Sequence, residues 1–402
     1  MTAFLQFVFA LTVIIAAAKA GGWVAVRLGQ PAVLGELLVG VLLGPSLFDL
    51  MHWPVLVNAV DPHLLTEAIY ELAELGVICL MFLAGLEVDV LEMRRTGRVA
   101  TLAGVMGVIF PLGLGALIVL PCGYRGQAAL FVGMILTATS VSISAQTLLE
   151  LGVLRSREGV ALLGAAVVDD VLVILLLSVF IAVTASGAGG AEIVLVLVRM
   201  VLYLGLATAA GLIFLPRLAD WADEQPVSEG LTAFVLVVTL AYAWIAEVGG
   251  GLAAITGAFI AGLGFGRSHL RATIGRSMHT IAYAFLVPIF FVSIGLKTNA
   301  RLLTEQGLLL VLLLVIVAVV SKVLGGGLGA RLGGFANRAS LCVGVGMISR
   351  GEVGLIVASV GVSAGLIKTE LFSVVTIIVL ITTLITPPLL RQVFANRETL
   401  HA

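Results

Sequence analysis

Sixty per cent of the 402 residues are hydrophobic and 11% are charged, against roughly 45–50% and about 25% in soluble globular domains, which excludes an ordinary soluble fold. The formal net charge is −1, and no basic tail or aromatic-basic stripe suggests nucleic acid. Cys79, Cys122 and Cys342 lie far apart with neither CxxC spacing nor a histidine cluster. They read as small packing residues, and no cofactor is expected.

Apolar runs split at polar or Gly/Pro punctuation predict an all-α polytopic membrane protein. About thirteen spans result, many near the roughly 20 residues that cross a bilayer's hydrocarbon core. The first, 3–27, has no basic residue before it and continues past Lys19, so it reads as a retained helix rather than a cleaved signal. The others are 31–50, 68–88, 99–120, 127–149, 159–185, 192–216, 228–247, 251–266, 279–297, 305–330, 339–364 and 370–390. Alternating the connecting segments between two sides places fourteen Lys/Arg on one, from Arg27, Arg94, Arg95 and Arg98 to Arg391 and Arg397. The other side carries four: Arg125, Lys297, Arg301 and Lys368. The positive-inside rule then sets the N-terminus outside and the C-terminus in the cytoplasm. Lys19, Arg199, Lys322 and Arg350 remain within spans.

The chain repeats itself weakly. Gly35, Gly40 and Gly44 in the second span return at the same spacing as Gly257, Gly262 and Gly266 in the ninth. The 81–86 end of the third span is answered by 291–296 in the tenth, and Gly133-Met134-Ile135 by Gly346-Met347-Ile348. The order is kept at offsets of 222, 210 and 213. Matched spans stand seven steps apart, so they run in opposite directions through the membrane. This predicts an inverted repeat, 3–185 and 228–390, joined by a linker helix at 192–216. Many secondary transporters are built this way, with the site near the midplane where broken helices meet.

Three stretches carry chemistry. Asp169 and Asp170 stand in the otherwise apolar sixth span, where one ionised Asp costs roughly 2.5–3.5 kcal/mol on insertion scales. Neighbouring helical residues point about 100° apart, so one carboxylate is free to hold a partner while the other faces a cavity. Lys322, alone in the apolar eleventh span, is the candidate partner. The matched fifth and twelfth spans supply the third stretch. Thr137, Thr139, Ser140, Ser142 and Ser144 crowd the fifth, and Ser349-Arg350-Gly351-Glu352 interrupts the twelfth. Both suit local unwinding, tolerated at membrane depth only where backbone lines a cavity or is buried in protein. Hydroxyls and freed carbonyls are hard oxygen ligands for a dehydrated cation, while Arg350 and Glu352 are placed to neutralise opposed half-helix dipoles. Interhelical hydrogen bonding is the plainer reading of the hydroxyls. Glu36 and Glu247 read as structural partners of Lys19 or Arg199, and Glu71 and Glu74 as a solvated helix end.

Across these stretches the sequence resembles the NapA-type sodium/proton antiporters of the second monovalent cation:proton antiporter family, which includes glutathione-gated potassium-efflux transporters. The matching segments are 28–36, 137–141, 168–171, 322–326 and 350–355, nearly the whole chain in order. The resemblance implies thirteen helices, a core domain rocking against a dimerisation domain, and a homodimer. It implies that Asp170 binds a monovalent cation or a proton, that Asp169 pairs with Lys322, and that Thr137 and Ser140 lie on the broken helix. Ser349 stands where the family often has proline, which implies a milder break in the twelfth span. No segment of these 402 residues matches the nucleotide-binding domain of the potassium-efflux branch, so gating of that kind is not expected. The activity expected is electrogenic sodium/proton antiport by alternating access in a bacterial-type inner membrane, without enzymatic chemistry. The alternatives are potassium/proton antiport, a cation channel or an anion symporter on the same scaffold. An intramembrane aspartyl protease is disfavoured, because its two Asp residues face each other from different helices.

Overall fold

The computed structural model describes residues 2–28, 30–57, 62–88, 90–184, 190–296, 305–363, 366–367 and 369–395. Of the basic residues counted above, Lys297, Arg301, Lys368 and Arg397 lie outside these ranges. The described residues are helices and short connections. In chain order the helices are α1 (Ala3–Arg27), α2 (Ala32–Leu43), α3 (Pro54–Val57), α4 (Pro62–Glu87), α5 (Val90–Val119), α6 (Gln127–Ile135), α7 (Val141–Glu150), α8 (Arg157–Thr184) and α9 (Gly190–Asp223). There follow α10 (Gly230–Ile245), α11 (Ala254–Phe265), α12 (Arg271–Ile281), α13 (Val287–Leu296), α14 (Glu305–Leu332), α15 (Asn337–Gly346), α16 (Glu352–Ser363) and α17 (Thr369–Ala395). Single π turns extend α10 over Ala246–Gly250 and join α12 to α13 over Ala282–Leu286.

Among the described residues, nine helical segments are long and apolar enough to cross a membrane. Two shorter apolar helices, α2 and α11, and two interrupted pairs, α6/α7 and α15/α16, occupy the places of the remaining expected spans. A backbone in lipid must satisfy its own hydrogen bonds, and a helix does so within one segment. The chain is a multi-pass membrane protein.

The helices pack in two groups. In one, α14 and α8 flank α5, with α6, α15, α16 and α17 around them. In the other, α1 packs on α2, α2 on α13, α13 on α4 and α4 on α11, with α9 and α10 against α11. Glycine decides how closely two of these pairs approach. A Cβ on Gly40 would overlap the Val292 carbonyl of α13, and one on Gly262 would overlap the Phe82 carbonyl of α4. Contact between the groups is sparser and runs mainly through α7 against α4 and α2, α17 against α2, and α8 against α9.

Several sequence expectations need correction. Glu36 does pair with Lys19, at 3.0 Å, but the Arg199 guanidinium donates to the Val248 and Gly249 carbonyls of the π turn instead of meeting Glu247. The lower-cost partner for an arginine beside a loosened turn is the carbonyl that turn leaves without an α-helical donor. Glu71 and Glu74 lie inside α4 and not at its end. Cys79 and Cys342 are buried, whereas Cys122 is exposed in the turn after α5, so packing explains only two of the three.

Candidate functional site

Two interrupted helices meet at their breaks, residues 136–140 between α6 and α7 and 347–351 between α15 and α16. The breaks are equal in extent, so the milder one expected from Ser349 is absent. The reason is chemical: Ser349 supplies the bonds that hold an open backbone. Its hydroxyl donates to the Ser140 carbonyl at 2.8 Å, and its carbonyl accepts from the Ser140 amide at 2.8 Å. Ser144 Oγ lies 3.0 Å from Ser349 Oγ and donates to the Gly346 carbonyl at 2.5 Å. Thr383 Oγ1 on α17 donates to the Arg350 carbonyl at 2.6 Å. These bonds satisfy main-chain groups of both breaks inside the protein, as membrane depth requires.

Arg350 is 1% exposed. Its guanidinium donates to the Ala138 carbonyl at 2.8 Å, in the first break, and to the Ala318 carbonyl of α14 at 3.1 Å. A planar fork that bridges two carbonyls suits arginine and not lysine. Ala318 lies one helical turn before Lys322, so Arg350 ties the break to the helix that carries the lysine. The Glu352 side chain lies outside the described residues.

Asp169 and Lys322 are both fully buried, and Lys322 Nζ donates to Asp169 Oδ1 at 2.8 Å. Either charge alone would be costly here, and together each offsets much of the other's desolvation. The Thr139 hydroxyl faces Asp169, and Arg350 acts electrostatically on both members of the pair. Asp170 is 2% exposed and acts electrostatically on Lys322. The adjacent carboxylates therefore differ in surroundings, as their angular separation on α8 requires. Thr137 Oγ1 donates its proton to the Met134 carbonyl at 2.6 Å, which leaves its lone pairs available as a ligand. Ser140 Oγ lies 3.1 Å from Ser142 Oγ.

Two cavities approach this centre along the seam between the helix groups. One, of about 440 Å³, has mainly apolar walls that include Val173 and Leu177 of α8, Phe290 and Gly351, together with Glu74 and Glu247. Val173 and Leu177 follow Asp170 at i+3 and i+7, so the cavity wall continues along the Asp170 face of α8. The other, of about 860 Å³, is lined by Arg155, Arg271, Arg276, Glu87, Glu150, His279, Tyr283 and Gln146. Sequence reasoning missed Gln146 and Glu150. Gln146 and Glu150 at i and i+4, in the stretch of α7 beyond the serines, were the available signal.

Residues 10–395 match the family described as sodium/hydrogen exchanger, transmembrane. The chain is 36% identical over 393 residues to the Na(+)/H(+)-K(+) antiporter GerN of Bacillus cereus, covering 98% of this chain and 97% of that one. It is 34% identical over 397 residues to a Na(+)/H(+) antiporter of Enterococcus hirae, covering 98% and 100%. The fold matches the sodium proton antiporter MjNhaP1 of Methanocaldococcus jannaschii with a TM-score of 0.72 at 17% identity, over 97% of this chain and 96% of that one. The expected resemblance to sodium/proton antiporters holds at the level of this family, and the finer placement in the second monovalent cation:proton antiporter family goes further than these matches. At the level these matches establish, the chain belongs to the sodium/hydrogen exchanger family.

Proposed function

We propose that the chain exchanges sodium for protons by alternating access, with Asp170 as the group that binds either ion. The observation that carries this reading is the buried centre at the crossing of two interrupted helices. There the Asp169–Lys322 pair is internally compensated, Asp170 is buried next to Asp169 on α8, and the two breaks carry buried hydroxyls and opened backbone. A protonated or cation-loaded Asp170 is neutral and crosses with its helix group, whereas an empty ionised one resists crossing. Coupling needs that difference, because an ion bound equally in both conformations shifts neither. Thr137, Thr139 and Ser140 contribute oxygen ligands, and Arg350 compensates the dipole ends at the breaks, with Glu352 assigned the same task.

The group around α5 and α14 serves as the moving core and the group around α4 and α11 as the dimerisation scaffold of a homodimer. The inverted repeat is supported by packing. The close approach of α2 to α13 at Gly40 and Gly295 has its counterpart between α11 and α4 at Gly262 and Gly85, and these are the glycines that match by repeat offset. With α2, α11 and the two interrupted pairs crossing the bilayer, thirteen crossings result. The arginine-lined cavity then faces the cytoplasm of a bacterial-type cell and the apolar one the outside. When cation binding separates Asp169 from Lys322, the lysine ammonium gives up its proton and regains one as the pair re-forms, so two protons exchange for one monovalent cation and the exchange is electrogenic. Potassium is the second candidate cation, favoured by the similarity to the Na(+)/H(+)-K(+) antiporter GerN of Bacillus cereus. The test is a proteoliposome assay with an internal pH-sensitive dye, adding sodium, lithium or potassium at several pH values and imposing a membrane potential. Sodium-driven proton flux that responds to the potential is expected. Proton flux unaffected by any cation, or single-channel cation currents, would remove the reading.

A further inference from the structure

The floor of the 860 Å³ cavity holds a hydrogen-bonded chain that the exchange mechanism above does not use. Tyr283, in the π turn between α12 and α13, donates its hydroxyl proton to Gln146 Oε1 on α7. Gln146 Nε2 donates to Glu150 Oε1 at 2.7 Å. Glu150 in turn accepts from the first amides of α2, Ala32 N at 2.5 Å and Val33 N at 3.3 Å. Both ends of this chain cross the seam, since α7 belongs to one helix group and α2 and the π turn to the other.

The placement of Glu150 makes sense only across the seam. It ends α7, where a negative charge opposes that helix's own dipole. At the start of α2 the opposite holds: Pro31 stands at the N-cap and forms no side-chain capping bond. Glu150 therefore acts as the cap that α2 lacks. Gln146 is 3% exposed and, with Leu83, forms the buried end of the cavity, whereas Arg155, Arg276, His279 and Thr280 are exposed. Six residues separate Gln146 from Ser140, about 9 Å along a helix. Gln146 is the cavity-lining residue of α7 nearest in sequence to the break, and it carries the bond to Tyr283.

We propose that Gln146 and Tyr283 form the gate between the arginine-lined cavity and the ion site, anchored by Glu150 on the α2 N-terminus, and that it opens once in every exchange cycle. These are positioning residues, touching neither cation nor the exchanging proton. The inference rests on the alternating-access reading. Breaking one neutral hydrogen bond at a gate shifts the closed-to-open ratio by about fivefold.

The test uses full-length protein in proteoliposomes, with Cys79, Cys122 and Cys342 replaced and a reporter at Leu83→Cys beside the gate or Ser293→Cys in the opposite cavity. A membrane-impermeant thiol reagent is applied from each side, with and without sodium. Tyr283→Phe, which removes only the hydroxyl, is expected to raise Leu83→Cys labelling about fivefold and to lower Ser293→Cys labelling. Glu150→Gln is expected to move both in the same direction, and it serves if Tyr283→Phe fails to insert. Labelling identical to the parent in the inserted variants would overturn the gate, whatever their transport rate. Parent reporters that ignore sodium from both sides would instead refute alternating access, and the gate with it.

Discussion

Replacing Lys322 by Gln tests the buried pair on which the site is built. Lys322 and Asp169 are wholly enclosed and joined at 2.8 Å. Removing one member of a buried ion pair strands the other, at about 3–5 kcal/mol. At roughly 2 °C per kcal/mol for a large chain, the unfolding midpoint should fall by about 6–10 °C. The four tryptophans allow the midpoint to be read by intrinsic fluorescence in detergent. Asp169→Asn combined with Lys322→Gln leaves no stranded charge and should recover about half of the loss. A Lys322→Gln midpoint within about 1 °C of the parent would show that the lysine pairs elsewhere or is solvated, and the site as described would be wrong.

Thr137→Ala and Ser140→Ala each remove one oxygen and no charge. They should raise the apparent KM for sodium about three- to tenfold with kcat little changed, since uniform binding is lost; equal KM values in both would return the hydroxyls to interhelical bonding. Arg350→Gln leaves the Ala138 and Ala318 carbonyls incompletely paired, each at about 1–3 kcal/mol. Its midpoint should fall measurably and Arg350→Lys should restore little of it, because an ammonium does not span both carbonyls. Full restoration by lysine would mean that charge and not the fork matters there.

Much of this arrangement was legible because lipid makes polar residues conspicuous. An Asp pair, one lysine and a run of hydroxyls in apolar spans stand out once the cost of burying them is counted, and the structure brings Asp169 to Lys322 and Thr139 to their side. The two breaks were legible from hydroxyl and glycine content. Their equal length was not, because the Ser349–Ser140 bonds couple segments 209 residues apart. Arg199 was assigned to a carboxylate because sequence shows side-chain charges and hides main-chain carbonyls loosened by a π turn. For the same reason the tie from Glu150 to α2 was invisible: its partners are backbone amides, which carry no residue identity.

Asp170 is the residue on which exchange at this site depends most directly. Parent and Asp170→Asn protein, reconstituted at matched density, should be compared for sodium-dependent proton flux across a pH range, with a midpoint measurement confirming that both are folded. The Asn variant, with no carboxylate to titrate at that position, is expected to stay folded and to show no sodium-dependent flux at any pH. Sodium-driven proton exchange at near-parental rate in that variant would contradict this role of Asp170.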